Sequence, residues 1–225
     1  MTPDPRENGA VDRPDDNEFA SARNRMVDRL VSSGRITRDE TARAMRVVPR
    51  HEFVPAKHRE ESYADRPLGI GEGQTISAPH MVAMMTDLLA PEIGQRILEI
   101  GTGCGYHAAV TAEIVGAENV YSVEFHESLA EKARDVLDRT GYGAITVTVG
   151  DGNNGWPEYA PYDGAYLTCA PTTIPETVIE QVVDGVVVAP EGRTRQELIR
   201  LTRFEGETTK RDVHGAVRFV RMRGK

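Results

Sequence analysis

From Ile97 onward the chain alternates short β-rich runs with stretches of helical periodicity, and the first junction reads Glu99-Ile100-Gly101-Thr102-Gly103-Cys104-Gly105-Tyr106. Strands are read at 96–100, 120–124, 145–150, 164–168, 185–190, 197–204 and 216–222, with helices through about Val115 and over about 128–139. Strands separated by helices pair in parallel through right-handed crossovers. The pattern therefore predicts an α/β Rossmann-like fold, a central mostly parallel seven-stranded sheet with helices on both faces. Only the polar, Gly-containing run at 205–215 (EGETTKRDVHG) separates the last two strands, so they are expected to form a C-terminal antiparallel hairpin.

Upstream, Met26, Val27, Leu30 and Val31 recur at helical spacing, as do Ala42, Ala44, Met45 and Val48, the second helix starting near Thr37 and ended by Pro49. Residues 1–17 hold prolines and charges with almost no apolar side chain, and a disordered tail is expected there. A single domain over 18–225 follows, divided into a helical N-terminal extension (18–66) and a cofactor-binding core with the hairpin (67–225). No apolar run approaches the roughly 20 residues of a membrane helix, and Cys104 and Cys169 are too few for a disulfide framework, so a soluble cytoplasmic monomer is expected. Formal charge is −8, and Lys57, Lys132, Lys210 and Lys225 are the only lysines. An acidic surface with Arg in place of Lys suggests a salt-rich cytoplasm and argues against nucleic acid as a ligand. Arg218, Arg221 and Arg223 are read as the solvated face of the last strand.

The Gly-rich junction follows a strand and opens a helix, where a ligand can approach backbone closely. A dinucleotide fingerprint needs G-x-G-x-x-G, whereas these glycines fall at 101, 103 and 105, with Tyr106 next. Glu124 closes the second strand, where a carboxylate can accept from ribose hydroxyls, and Asp151 with Gly152 follows the third, where the adenine edge would lie. Singly, each has a plainer reading as turn, solvated strand end or helix cap. Together, at successive strand ends, they point to a nucleoside-containing cofactor. The six histidines and two cysteines show no metal-ligand spacing, so no metal site is expected.

The E-x-G-x-G-x-G turn resembles that of class I methyltransferases, which use S-adenosyl-L-methionine. Residues 67–81, Pro-Leu-Gly-Ile-Gly-Glu-Gly-Gln-Thr-Ile-Ser-Ala-Pro-His-Met, resemble the signature of the protein L-isoaspartyl O-methyltransferases. Further matching segments lie at 48–55, 63–65, 99–110, 120–124, 150–163 and 174–181. The resemblance implies methyl transfer to isoaspartyl residues of damaged peptides and proteins. It casts Ser77 as the catalytic residue, Gln74, Thr75 and Ile76 as the stretch along cofactor and substrate, and Glu99, Gly101, Gly103, Gly105, Glu124, Asp151 and Gly152 as cofactor contacts. Ser77 also has the form of a helix N-cap, since Ser-Ala-Pro precedes an apolar run.

Four places depart from the family pattern: Thr168-Cys169-Ala170-Pro171, Asp184-Gly185, Gly69, and Arg221 where Pro is commoner. All are expected to border the substrate side. Those at 168–171 and 184–185 motivate an alternative, a related carboxyl methyltransferase with another aspartyl acceptor; a further one is a cofactor-binding module without turnover. A nicotinamide dehydrogenase is disfavoured by Tyr106. Cys104 is read as a small packing residue, and Trp156 and Tyr159 equally as a peptide-cleft wall or as ordinary packing.

Overall fold

The computed structural model describes residues 16 to 224, so the expected tail lies outside the described residues except for Asp16 and Asn17, which open the first helix. Helix α1 (Asp16–Ser32) buries Phe19, Met26, Val27 and Leu30, spaced to share one face. Val31 is off that face and is 44% exposed. Helix α2 (Asp39–Val47) buries Ala44 and Met45, and its acidic first turn suits the positive end of the helix. Thr37 does not cap it: Arg38 holds the N-cap position, while the Thr37 N–H and hydroxyl both donate to Asp87 Oδ2 (2.6 and 2.8 Å). Val48 is extended, as a residue before proline must be, and α2 stops there.

A 3-10 turn at Arg50–Phe53 leads to a small antiparallel hairpin, β1 (Leu68–Gly71) with β2 (Gln74–Ile76). Glu72 and Gly73 at its tip have φ of 50° and 69°, as a two-residue hairpin turn demands. Helix α3 (Pro79–Leu89) follows. Ala78 is its N-cap residue and Pro79 its first position, so Ser77 stands outside the helix and does not cap it.

The main sheet comprises β3 (Ile97–Ile100), β4 (Val120–Glu124), β5 (Thr146–Val149), β6 (Tyr162–Leu167), β7 (Val182–Glu191), β8 (Gln196–Phe204) and β9 (Glu207–Val217), in the order β5-β4-β3-β6-β7-β8-β9. Strands β3 to β7 run parallel, whereas β8 is antiparallel to β7 and β9 to β8. Helices α4 (Tyr106–Val115) and α5 (Glu127–Arg139) provide the crossovers from β3 to β5; α6 (Glu176–Glu180) precedes β7. Alternation along β3 feeds two cores. Ile97 packs with the larger one, shared with α1 to α5; Leu98 and Ile100 face the other, closed by Val178 and Ile179 of α6. Each such side chain removed from water contributes about 1.5–3 kcal/mol.

The C-terminal hairpin is present but its second strand is not the expected 216–222. Glu205 and Gly206, with φ of 51° and 79°, make the turn themselves, and the polar run read as a link is the strand β9. As a solvated edge strand, β9 carries charge instead of an apolar alternation. Residues beyond Val217 leave the sheet, and Arg221 makes an isolated bridge to Ala170. The expectation that Arg218, Arg221 and Arg223 share a strand face is thereby overturned.

Candidate active site

The chain runs from β3 outward through β4 to β5, then returns to the other side of β3 for β6 and β7. In an open α/β sheet the crevice beyond the strand ends at such a reversal is where ligands bind. A cleft of about 740 Å³, part of it open to solvent, lies there. Gly101, at φ 99°, donates its N–H to the Val123 carbonyl (2.8 Å), and a Cβ on it would fall 2.4 Å from Thr168 Oγ1. Gly103 and Gly152 also line the cleft; a Cβ on Gly152 would stand 2.3 Å from Ile100 Cγ2. Along the cleft run Gln74, Thr75, Ile76 and Ser77, which the β1–β2 hairpin and the start of α3 hold over the strand ends.

Two buried carboxylates stand beneath the turn. Glu124 Oε2 accepts from the Gly103 N–H (2.8 Å) and Oε1 from the His126 N–H (2.9 Å), so the end of β4 is tied to the glycine turn. Each oxygen retains acceptor capacity. Glu99 is deeper: Oε1 accepts from the Tyr166 hydroxyl (2.9 Å) and Oε2 from Ser122 Oγ (2.5 Å), which is 2.6 Å from Thr102 Oγ1. Burial pushes the Glu99 carboxyl up to about 8; the Ser122 and Tyr166 bonds pull it down, and nearby Glu124 pushes it further up. Burial therefore favours the protonated form of Glu99 at neutral pH.

Most of the expected residues converge, and two stand apart. Gly105 is the N-cap of α4 at φ 87°, where a Cβ would meet the Leu137 side chain; it shapes the helix start without lining the cleft. Asp151 also lies off the lining, its Oδ1 accepting from the Asn153 N–H (2.9 Å) and Nδ2 (2.8 Å). Ser77 is half-buried, and its hydroxyl makes no hydrogen bond to the protein among the described residues.

Sequence reasoning missed one wall. Val220, Arg221, Met222 and Arg223 line the cleft, pinned by the Ala170 N–H to the Val220 carbonyl (2.8 Å) and the Met222 N–H to the Ala170 carbonyl (2.9 Å). Thr168 and Cys169, at the end of β6, line it too; their position at a strand end was the available signal. Of the departures from the family pattern, Thr168, Cys169 and Arg221 touch the cleft. Gly69 and Gly185 do not, and Asp184 accepts from the Glu205 N–H (2.6 Å) at the β8–β9 turn, so these do not border the site as expected. Burial pushes the Cys104 thiol up to about 11 and Cys169 to about 12, which leaves neither as a ready nucleophile. Trp156 and Tyr159 pack around Tyr121 at ring-centroid distances of 6.3 and 4.8 Å, outside the cleft lining. Among the described residues no group of three or more His, Cys, Asp or Glu could hold a metal, and no helix is long and apolar enough to cross a membrane.

An open, mostly parallel seven-stranded sheet, with a glycine turn after its first strand and a carboxylate closing the next, defines the class I methyltransferases. Within that class the chain belongs to the protein-L-isoaspartate(D-aspartate) O-methyltransferase family, whose sequence model matches residues 21–225. Protein-L-isoaspartate O-methyltransferase 2 of Archaeoglobus fulgidus is 47% identical over 92% of this chain and 95% of its own. The Methanopyrus kandleri protein-L-isoaspartate O-methyltransferase is 48% identical over 93% of this chain and 95% of its own. A solved protein-L-isoaspartate O-methyltransferase superposes with a TM-score of 0.82 at 29% identity, over 90% of this chain and 66% of that one. A Plasmodium falciparum structure described as a putative member, in complex with S-adenosyl-L-homocysteine, shares the fold (TM-score 0.78, 22% identity, 89% of this chain, 98% of that chain).

Proposed function

We infer that this chain transfers a methyl group from S-adenosyl-L-methionine to the free carboxylate of L-isoaspartyl residues in damaged peptides and proteins. The observation that carries this is one cleft in which the Gln74–Ser77 stretch and the glycine turn face each other. When bound, the cofactor supplies an electrophilic sulfonium methyl. The residues present fit such a molecule: Gly101, Gly103 and Gly152 present bare backbone to the cleft, and Glu124 is held by two amides with acceptor capacity left for a diol. Gly101, Gly103, Glu124 and Gly152 are assigned to cofactor contact, and Glu99 supports the turn from below through Ser122 and Thr102.

A carboxyl of this kind has a pKa near 4 and is already ionised at neutral pH. No general base is needed, and the protein contributes alignment and exclusion of water. The Ser77 hydroxyl, uncommitted within the protein, is assigned to donate a hydrogen bond that aligns the acceptor carboxylate. The product ester then reacts without the enzyme: the next residue's amide nitrogen attacks the ester carbonyl, methanol leaves, and the succinimide hydrolyses in part to normal aspartate. The test is methyl transfer from labelled cofactor to an isoaspartyl peptide and its aspartyl twin. Labelling of the first alone is expected; equal labelling would transfer the reading to the wider class of aspartyl acceptors.

A further inference from the structure

Arg50 is fully buried, yet the reaction as assigned gives it no task. A guanidinium stays charged in proteins, and taking one out of water costs several kcal/mol unless something compensates it. Among the described residues it makes no ion pair with an Asp or Glu. Two backbone carbonyls and an aromatic face contact it, the Tyr63 and Cys104 side chains stand near, and its Nη1 is buried without a hydrogen-bond partner among the described residues. Its Nε donates to the Ser62 carbonyl (2.8 Å) and its Nη2 to the Ser77 carbonyl (2.7 Å), while its charge stands 4.7 Å from the centroid of the Tyr106 ring. Tyr106 is the first residue of α4, directly after the glycine turn, and lies against Phe53 of the same 3-10 turn as Arg50 (centroids 5.7 Å). One planar group thus touches the N-terminal extension, the residue assigned to the acceptor, and the helix that carries the cofactor turn.

The Ser77 carbonyl has a particular need for that contact. It precedes the N-cap Ala78, so the ladder of α3 does not engage it, and the following Ala78-Pro79 pair is stiff. Fixing this carbonyl fixes the peptide plane at the C-terminal side of Ser77, and with it one of the two backbone torsions that set where the Ser77 Cβ and hydroxyl point. We propose that Arg50 is a positioning residue for methyl transfer, its guanidinium locking the Ser77 backbone against α4 so that the Ser77 hydroxyl meets the acceptor at a fixed place relative to the cofactor turn. The proposal rests on the role given to Ser77 above. It also requires the fork shape of the guanidinium: a lysine ammonium keeps the charge but cannot serve two carbonyls and cover the ring at once.

The test is a cycle of four full-length proteins: wild type, Arg50→Lys, Ser77→Ala and the double variant, each assayed where circular dichroism reports it folded. An isoaspartyl peptide gives kcat and KM, and titration calorimetry gives the affinity for S-adenosylhomocysteine. Arg50→Lys is expected to lower kcat by about tenfold or more, with product affinity changed by less than about threefold. In the Ser77→Ala background the same change is expected to cost less than about twofold, because the group being aimed is gone. An equal loss in both backgrounds, or no loss in wild type, overturns the proposal. Should Arg50→Lys melt below the assay temperature, Arg50→Gln takes its place in the cycle, since it removes the buried charge, and the same two outcomes decide. Ser77→Ala with unchanged kcat would instead refute the role assigned to Ser77, which separates that failure from this one.

Discussion

Gly101 and Gly152 are small for different reasons, and their alanine variants should fail differently. At Gly101 the backbone is left-handed (φ 99°) and the added methyl would meet the Thr168 hydroxyl, which donates to the Gly101 carbonyl (2.5 Å). Gly101→Ala is expected to lose about 1–3 kcal/mol of stability from backbone strain alone, and also to lose affinity for S-adenosylhomocysteine. At Gly152 the obstacle is the buried Ile100 side chain, so that variant's strain falls on the second core. Thermal melts with calorimetry check both; Gly101→Ala with native affinity would remove the turn from the cofactor site. Ser77→Ala carries the opposite expectation. Loss of the hydrogen bond that aligns the acceptor should lower kcat by about 10- to 100-fold through misplacement of the reacting oxygen and leave product affinity within about twofold. Steady-state kinetics beside calorimetry separates the two effects, and a parallel collapse of affinity would contradict the alignment role.

Elements were legible in the sequence where burial imposed a pattern. Strands β3, β4 and β6 are near-continuously buried because both faces of a parallel strand are covered, and the turn between β3 and α4 announced itself through glycines at positive φ. Where burial is weak the signal fades. Nearly all of β9 is exposed, so its threonines and charges read as a link, and the three-residue β2 is too short to show periodicity. Misplacing β9 also hid the cleft wall at 220–223, because the Phe219-Val220-Arg221-Met222 run has the β-rich composition of a strand although it lies outside the sheet. Besides the Ala170 pair, a second long-range contact anchors the residue before this wall: Gln196 Nε2 donates to the Phe219 carbonyl (3.1 Å) and Gln196 Oε1 accepts from the Phe219 N–H (2.6 Å). Nothing in the sequence pairs those positions. Deleting residues 219–225 removes the wall but no strand of the sheet, so the fold is expected to survive while kcat/KM for an isoaspartyl peptide falls by about tenfold or more. Peptide kinetics beside a melting curve checks this; undiminished kcat/KM would mean that the segment takes no part in catalysis.

Across the whole molecule, two buried titratable groups on one face of the sheet pull stability in opposite directions with pH. His107 lies against Tyr166 in a tilted arrangement at 4.3 Å between ring centroids, and burial pushes it down to about 3. In the unfolded chain it takes up a proton near 6.5, so its contribution to stability is lost as pH falls from there toward 3. Glu99 is the reverse case. Its folded carboxyl sits near 8 against an ordinary value of 4.5, so between those values the unfolded chain has released a proton that the folded chain keeps. Folding then binds a proton, and Glu99 withdraws stability as pH rises from about 4.5 through 8, with no further change above. The hydroxyl chain through Ser122 to Thr102 tolerates both forms: it donates toward a charged Glu99, and reversed it accepts from a neutral one. Glu99→Gln fixes the neutral form. Its melting temperature, compared with that of the wild type, should gain steadily as pH is raised from 5 to 8 and stay level from 8 to 9, while both proteins retain the acid-side loss due to His107. Paired melts across that range decide it: a constant difference between the two proteins would show that Glu99 is charged in the folded state throughout, and that the hydrogen bonds from Tyr166 and Ser122 outweigh its burial.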